Sequence, residues 1–508
     1  MKRIGSYFAL AFFFFVLSTN AQTAKYRVCF DKKNTGEYQP EKHLTPEALR
    51  NRELLKLPKF QLSDVPVDEN YLRAIAAQNA KVVNVSKWLN AAYALMTEEQ
   101  AENVSKYSFV VSVERIDQKY TFASQNFNRE NFGRALEQMN AGIFVKENLN
   151  GKGVKVGIID AGFFQAHESP LLAKIFEEKR VIFYRDFVAP RKQEFFAESE
   201  TDKDDHGTTV FEMIAGKEKG GIQTGFAHQA EFYLARTDHG DKEFRGEEDY
   251  WIRAMEMMDS LGVRLINTSL GYAKGFDKKE ENYKPSEMDG KTSKITQAAT
   301  LAAKEKGMII IVSAGNEGAD KWQIITAPAD SPEVLSVAAN NANGLRASYS
   351  SIGPDFLDYL KPNVSAYSMT GTSFSAPIIT GFAACLLQAK PDLTYRELFT
   401  LIEKSSQFYP HGNNYLGHGI PDARRAWELL QGKPHKSLLK EVEAKKECKL
   451  SVDKNAKSIF IIHKKNRHIV VEQDITGANG GRVVIKRSKS AAQTTVWDGN
   501  EGYEIIWK

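Results

Sequence analysis

Three residues sit in settings that can combine into one piece of chemistry. Asp160 ends the apolar run VKVGII, His206 lies in DDHGTT, and Ser373 lies in GTSFSAP. A carboxylate, an imidazole and a hydroxyl are the parts of an activated serine, in which the imidazole takes the hydroxyl proton and the carboxylate orients the imidazole. A fourth residue, Asn316 in IIIVSAGNEG, supplies an amide that can donate to the negative charge that acyl transfer builds on a carbonyl oxygen. Alone, each is weak evidence. Asp ends many buried strands, His206 can simply open a helix over Val210, Phe211, Ile214 and Ala215, and Asn suits left-handed turns. Ser373 says more, because Gly371 and Thr372 precede the apolar stretch 378–387 and Pro377 falls where a helix start tolerates a missing N–H. The four together point to a nucleophilic serine.

Such groups need a frame. Apolar runs at 154–160, 230–236, 263–268 and 308–313 read as strands buried on both faces, and 246–261 and 292–306 read as helices between them. Strands alternating with helices predict an α/β fold around a parallel sheet, with helices on both faces. Asp160 and Asn316 then fall at strand carboxyl ends, where open α/β sheets hold their ligands.

With the order Asp, His, Ser, these motifs resemble those of the subtilisin-like serine peptidases (subtilases), in particular an exported branch of Bacteroidetes. The resemblance implies a secreted serine endopeptidase that acts on proteins or peptides through an acyl-enzyme, with Asp160, His206 and Ser373 as the triad. It also implies an oxyanion hole made of Asn316 and the Ser373 N–H. VRLINTSLGY (263–272) resembles the strand that pairs with substrate and lines the specificity pocket through Ser269, Leu270 and Gly271, and Ser313, Ala314 and Gly315 match the opposite wall. Segments 327–354, 361–366 and 417–426 extend the likeness, so that it spans roughly 25–430. Three departures leave the triad intact: Thr209 stands where many relatives carry a second His, Phe374 replaces a Met, and only Tyr367 to Thr370 link Ala366 to Gly371. The chemistry requires no cofactor, and no sequence feature indicates a metal site or a structural calcium. Two other classes compete. A silent peptide-binding relative is disfavoured by the complete set of four residues, and a serine esterase by the absence of a GxSxG elbow and by the triad order.

The flanks predict further units. Lys2 and Arg3, the apolar run 7–17 and the small residues before Gln22 read as a signal peptide over 1–21, hence an exported protein. Residues 22–125 alternate strand and helix in the order β-α-β-β-α-β, a ferredoxin-like α+β arrangement, with Thr97 to Gln100 as a capping box. The family resemblance implies that this unit is a propeptide, a partner of the catalytic domain at 126–432, the alternative being a permanently attached N-terminal domain, and the polar stretch Gln118 to Arg129 offers a nick site. From 433 to 508, 16 Lys and Arg face 9 Asp and Glu, and SIFIIH, HIVVEQ, GRVVIK and GYEIIW suggest a small β-rich module after a charged linker over 436–449.

Composition excludes several classes. A chain of 508 residues, 42% hydrophobic and 26% charged, can bury a large core, and a net charge of +4 with no basic run among aromatics gives no nucleic-acid signature. Cys29, Cys385 and Cys448 are too few and too scattered for a disulfide framework or a zinc site. His167-Glu168 lacks the second His of a zinc protease, Leu171 standing there. Past the N-terminus no run reaches the roughly 18 apolar residues of a membrane span.

Overall fold

A computed structural model describes residues 23–36, 38–116, 133–189, 195–197, 201, 203–240, 244–478 and 480–508. The predicted signal peptide and the polar stretch from Gln118 to Arg129 lie outside the described residues. There are two compact units. One is the described part of Met1–Lys32 with Val67–Val85 and Asn90–Asp117, and the other is Lys33–Pro66, Ser86–Leu89 and the described part of Gln118–Lys508.

The chain runs through β1 (Ala24–Phe30), α1 (Pro46–Leu54), α2 (Glu69–Ala77), β2 (Lys81–Ser86), β3 (Ala91–Met96), α3 (Glu98–Ser105) and β4 (Val110–Arg115). In the first unit the strands form a sheet of order β2-β3-β1-β4, with β1 antiparallel to both neighbours. This is the ferredoxin-like element order expected from the sequence. Its core joins Val28, Ala92 and Ala94 to Ile75 of α2 and Val104 of α3. The predicted capping box closes α3, the Thr97 hydroxyl accepting from the Gln100 N–H and the Gln100 side chain from the Thr97 N–H.

The second unit continues with β5 (Lys155–Asp160), β6 (Val181–Asp186), α4 (His206–Ala215), β7 (Glu231–Arg236), α5 (Gly246–Ser260), β8 (Leu265–Thr268), α6 (Lys294–Lys306), β9 (Ile309–Ser313), β10 (Leu335–Asn340), β11 (Val364–Tyr367) and α7 (Ala376–Ala389). Seven parallel strands lie in the order β11-β10-β9-β8-β5-β7-β6. Successive side chains of a strand point to opposite faces. Ile158, Leu265, Ile309 and Ile311 therefore meet α4 and α7 on one side, while Ile159, Ile266, Ile310 and Val312 meet α5 and α6 on the other. A sheet covered on both faces explains why its strands read as unbroken apolar runs.

Helix α1 belongs to this unit although it comes from the N-terminal region. Thr45 caps it by accepting from the Ala48 N–H, and Pro46 occupies its first turn. Its Arg52 donates two bonds to Asp64 at 2.8 and 3.0 Å and two to Asp259 of α5 at 2.9 and 3.1 Å. Lys306, at the end of α6, lies 3.1 Å from Asp64 and donates to Ser63. All four charged side chains are buried. Burial opposes ionisation of Asp64, but the donors around it, Arg52 first, hold its carboxyl below the usual range. Nearby, buried Glu256 of α5 accepts from the Ser86 hydroxyl and the Trp88 N–H.

The tail departs from expectation at its start. Residues in the predicted charged linker instead form β12 (Leu439–Ala444) and β13 (Glu447–Ser451), followed by β14 (Ile459–Lys464), β15 (Val470–Thr476), β16 (Arg482–Lys486), β17 (Gln493–Trp497) and β18 (Gly502–Trp507). Strand β12 is the edge of a five-stranded sheet, order β12-β18-β17-β14-β15, and its charges point outward while Leu439 is buried. An edge strand carries such charges because they keep its unpaired backbone from pairing with another chain.

Removing Arg52 leaves Asp64 and Asp259 buried with half their counter-charge. Arg52→Ala is expected to cost the full-length chain about 3–5 kcal/mol, read as a lower urea midpoint with unchanged slope. A loss below about 1 kcal/mol, the scale of an exposed pair, would contradict this account.

Candidate active site

Asp160 is the last residue of β5 and is fully buried. Its Oδ1 accepts from the Ala161 N–H at 2.8 Å and lies 2.6 Å from His206 Nδ1. Contact this close depends on Gly207, since a side-chain carbon there would fall 2.2 Å from the Gly162 carbonyl oxygen and 2.9 Å from Asp160 Cβ. His206 opens α4 and keeps a quarter of its side chain exposed, with its ring 5.2 Å from that of Phe374. The aromatic substitution noted beside Ser373 thus packs on the imidazole. Burial alone pushes the His206 pKa down, but the charge and hydrogen bond of Asp160 outweigh it, and the net shift is upward.

Ser373 lies in a single turn of 3-10 helix, Thr372–Phe374, immediately before α7, and is buried apart from a small opening. Its hydroxyl donates to the Ser269 carbonyl at 3.1 Å, and the Ser269 hydroxyl donates back to the Ser373 carbonyl at 2.8 Å. Among the described residues no hydrogen bond joins Ser373 to His206. Ser269 is itself held by Asn267, which accepts from Thr380 of α7. The Ser269 stretch is therefore pinned to the helix that follows Ser373.

Asn316 is exposed, just beyond the end of β9. Its Oδ1 accepts from the Thr372 N–H at 2.8 Å and the Thr372 hydroxyl at 3.0 Å, and that hydroxyl also accepts from the Gly315 N–H at 3.1 Å. With the oxygen fixed by two donors, the NH₂ group faces Gly371 and remains available as a donor. Of the predicted pocket residues, Ser269, Leu270, Ser313 and Ala314 are buried, while Gly271 and Gly315 reach the surface.

One residue of this arrangement was not read from the sequence. Arg236 ends β7 beside Asp160 in the sheet register and is buried. It donates to the Ala161 carbonyl at 2.9 Å, pairs with Asp186 at 3.0 Å and reaches Asp204 at 3.5 Å. A single guanidinium thus ties the turn after Asp160 to the loop before His206. The only signal for it was a charged residue ending the apolar run EFYLAR.

Comparisons with known proteins bear on the family and the fold. The model of the Subtilase family matches residues 151–419, and that of the Peptidase S8 propeptide domain, Bacteroidota, matches residues 25–131. Subtilisin NAT of Bacillus subtilis subsp. natto is 26% identical over 367 residues, which cover 69% of this chain and 84% of that protein. Among solved structures, the epidermin leader peptide processing serine protease EpiP of Staphylococcus aureus matches with a TM-score of 0.54 at 16% identity, over 81% of this chain and 100% of that one. Fervidolysin of Fervidobacterium pennivorans, described as a keratinolytic enzyme related to subtilisin, matches with a TM-score of 0.52 at 19% identity, over 94% and 70% of the two chains.

The upward shift of His206 has a testable sign. Its imidazolium is expected to titrate above about 6.5, the ordinary value, and the associated stability is present at low pH and fades as pH rises through the folded pKa. Asp160→Asn removes the raising charge and leaves burial, so the titration followed by NMR should move below that of the parent chain. No movement would show that Asp160 does not set it.

Proposed function

Because the chain belongs to the subtilase family of serine endopeptidases, we propose that Ser373 is its nucleophile, His206 its general base, and Asp160 the carboxylate that orients the base. The observation that carries this reading is the 2.6 Å contact of a buried carboxylate with His206, whose ring lies against the residue after Ser373. The Ser373 hydroxyl first turns from the Ser269 carbonyl toward His206. His206 then takes its proton as Oγ attacks the substrate carbonyl, and the charge on the carbonyl oxygen is met by the Asn316 NH₂ and the Ser373 N–H. Collapse of the tetrahedral species releases the amine, protonated by His206, and leaves an acyl-enzyme. Water, deprotonated by His206, then releases the acid and restores Ser373.

No cofactor enters these steps. Residues 22–125 are proposed as a propeptide that inhibits the catalytic domain at 126–432 until it is cut away, 1–21 as a cleaved signal, and 433–508 as an accessory module of a secreted or cell-surface enzyme. Support comes from the family match over 25–131 and from the composition of the N-terminus.

Ser373→Ala should abolish both peptide hydrolysis and labelling by a fluorophosphonate, and the chain should accumulate in a longer form that lacks only its signal. Retained hydrolysis would refute the nucleophile. Asn316→Ala should lower kcat by about 10²–10³ with KM little changed. A loss confined to KM would make Asn316 a ground-state contact instead.

A further inference from the structure

Among the described residues, β13 and β16 pair only with each other, antiparallel, with Glu447 opposite Lys486, Lys449 opposite Val484 and Ser451 opposite Arg482. Leu450, Val483 and Ile485 lie on one side of this ribbon and join the core that holds Ile459, Ile461, Val496 and Trp507. Side chains alternate along a strand, so the other side meets solvent, and Lys449, Arg482, Val484 and Lys486 are exposed there.

That face is charged in one sense. Across the ribbon and its flanking turns, residues 445–457 and 480–489, nine Lys and Arg accompany two acids, Glu447 and Asp453. All nine cations are exposed. They account for the whole positive excess of residues 433–508, since the other charges of the tail cancel. Among the described residues the only ion pair on the ribbon joins Lys449 to Glu447, at 3.9 Å. Charge on an edge strand blocks unwanted pairing, but either sign serves that purpose, and β12 carries both in Lys440, Glu441 and Glu443. A single sign is what complementarity to an anionic partner requires.

The spacing matches an extended chain. Arg482 and Lys486 stand four residues apart on β16, about 13 Å, and Lys449 lies opposite the residue midway between them. The three cations therefore repeat at about 7 Å, the interval between alternate side chains of an extended peptide. Neither strand contains an aromatic residue, so nucleic-acid bases would find nothing to stack on.

We propose that the outer face of the β13–β16 ribbon is an exosite for protein substrates, holding an extended segment that carries Asp or Glu at alternate positions. It selects which proteins are cut and takes no part in bond making. The inference rests on the peptidase reading, with Ser373 as the nucleophile.

Two readouts separate binding from cleavage. In the first, full-length Ser373→Ala is titrated with a fluorescein-labelled peptide of alternating Glu and Gly, which should bind about 10-fold or more tightly than its Gln and Gly counterpart. Raising salt from about 0.1 to about 1 M, which shortens the screening length from about 10 to about 3 Å, should erase the difference. In the second, active protein cuts one peptide with and without the acidic run, attached through a flexible linker of about 40 Gly and Ser residues with a mean span of about 35 Å. The run should lower KM by about 10-fold and leave kcat unchanged. Lys449→Glu, Arg482→Glu and Lys486→Glu together should remove both preferences while the peptide without the run is cut as before. Lys433→Glu, Lys436→Glu and Lys465→Glu, an equal change of charge elsewhere in the tail, should preserve them. Equal binding of the two labelled peptides, a KM that ignores the run, or equal losses in both triple variants overturns the proposal. So does binding to phosphatidylglycerol vesicles in place of the acidic peptide. If instead Ser373→Ala binds as expected but still cleaves, the nucleophile assignment is what fails and the exosite stands.

Discussion

The site depends on strands that all run the same way. Parallel neighbours cannot be joined by hairpins, so crossovers return the chain each time and every carboxyl end falls along one edge. Asp160, Thr268 and Ser313 end the adjacent strands β5, β8 and β9, and the turns after these three residues face the same space. The hydroxyl comes from elsewhere, the turn before α7. That helix is buried along nearly its whole length and packs against both the sheet and α4, which carries His206. Hydrogen bonds from Thr372 to Asn316, between Ser269 and Ser373, and from Thr380 to Asn267 then stitch the helix to the strand ends. These side chains are positioned by packing and locked by polar contacts.

The same arrangement decides how much of the fold was legible in the sequence. Strands buried on both faces leave continuous apolar runs, so β5, β7 and β9 could be located within a residue and β8 within about two, and with them Asp160 and Asn316. Gly207 marks a close approach that a short sequence motif encodes, and Gly371 and Thr372 precede an apolar helix with Pro377 in its first turn, which made His206 and Ser373 visible. Partners distant in sequence were not visible. Arg236 meets Asp186 and Asp204 only after the sheet has assembled. Charge misled at 439–444, where exposed Lys440, Glu441 and Glu443 look like a solvated linker but belong to an edge strand.

The C-terminal strands are more than an appendage. Phe408 and Leu416 share a small core with Leu439, Ile462, Val470 and Trp497, and buried Lys464 pairs with Glu504 at 2.8 Å while donating to the His411 carbonyl. A pair so enclosed adds little net stability over an apolar equivalent but strongly penalises any register that separates its members. It therefore fixes how β14 and β18 lie in their sheet and how that sheet meets the segment around His411.

The Arg52 cluster has a consequence for how this protein can be taken apart. Arg52 pairs with Asp64 inside its own segment, but its second partner, Asp259, stands 207 positions on, so the cluster closes only once helices made much later are in place. In the intact chain the buried charges of α5 and α6 are consequently matched by a segment of the proposed propeptide. A recombinant fragment beginning at residue 126 would keep Asp259 and Lys306 and discard Arg52 and Asp64, exposing a charged seam where the intact chain has a sealed one.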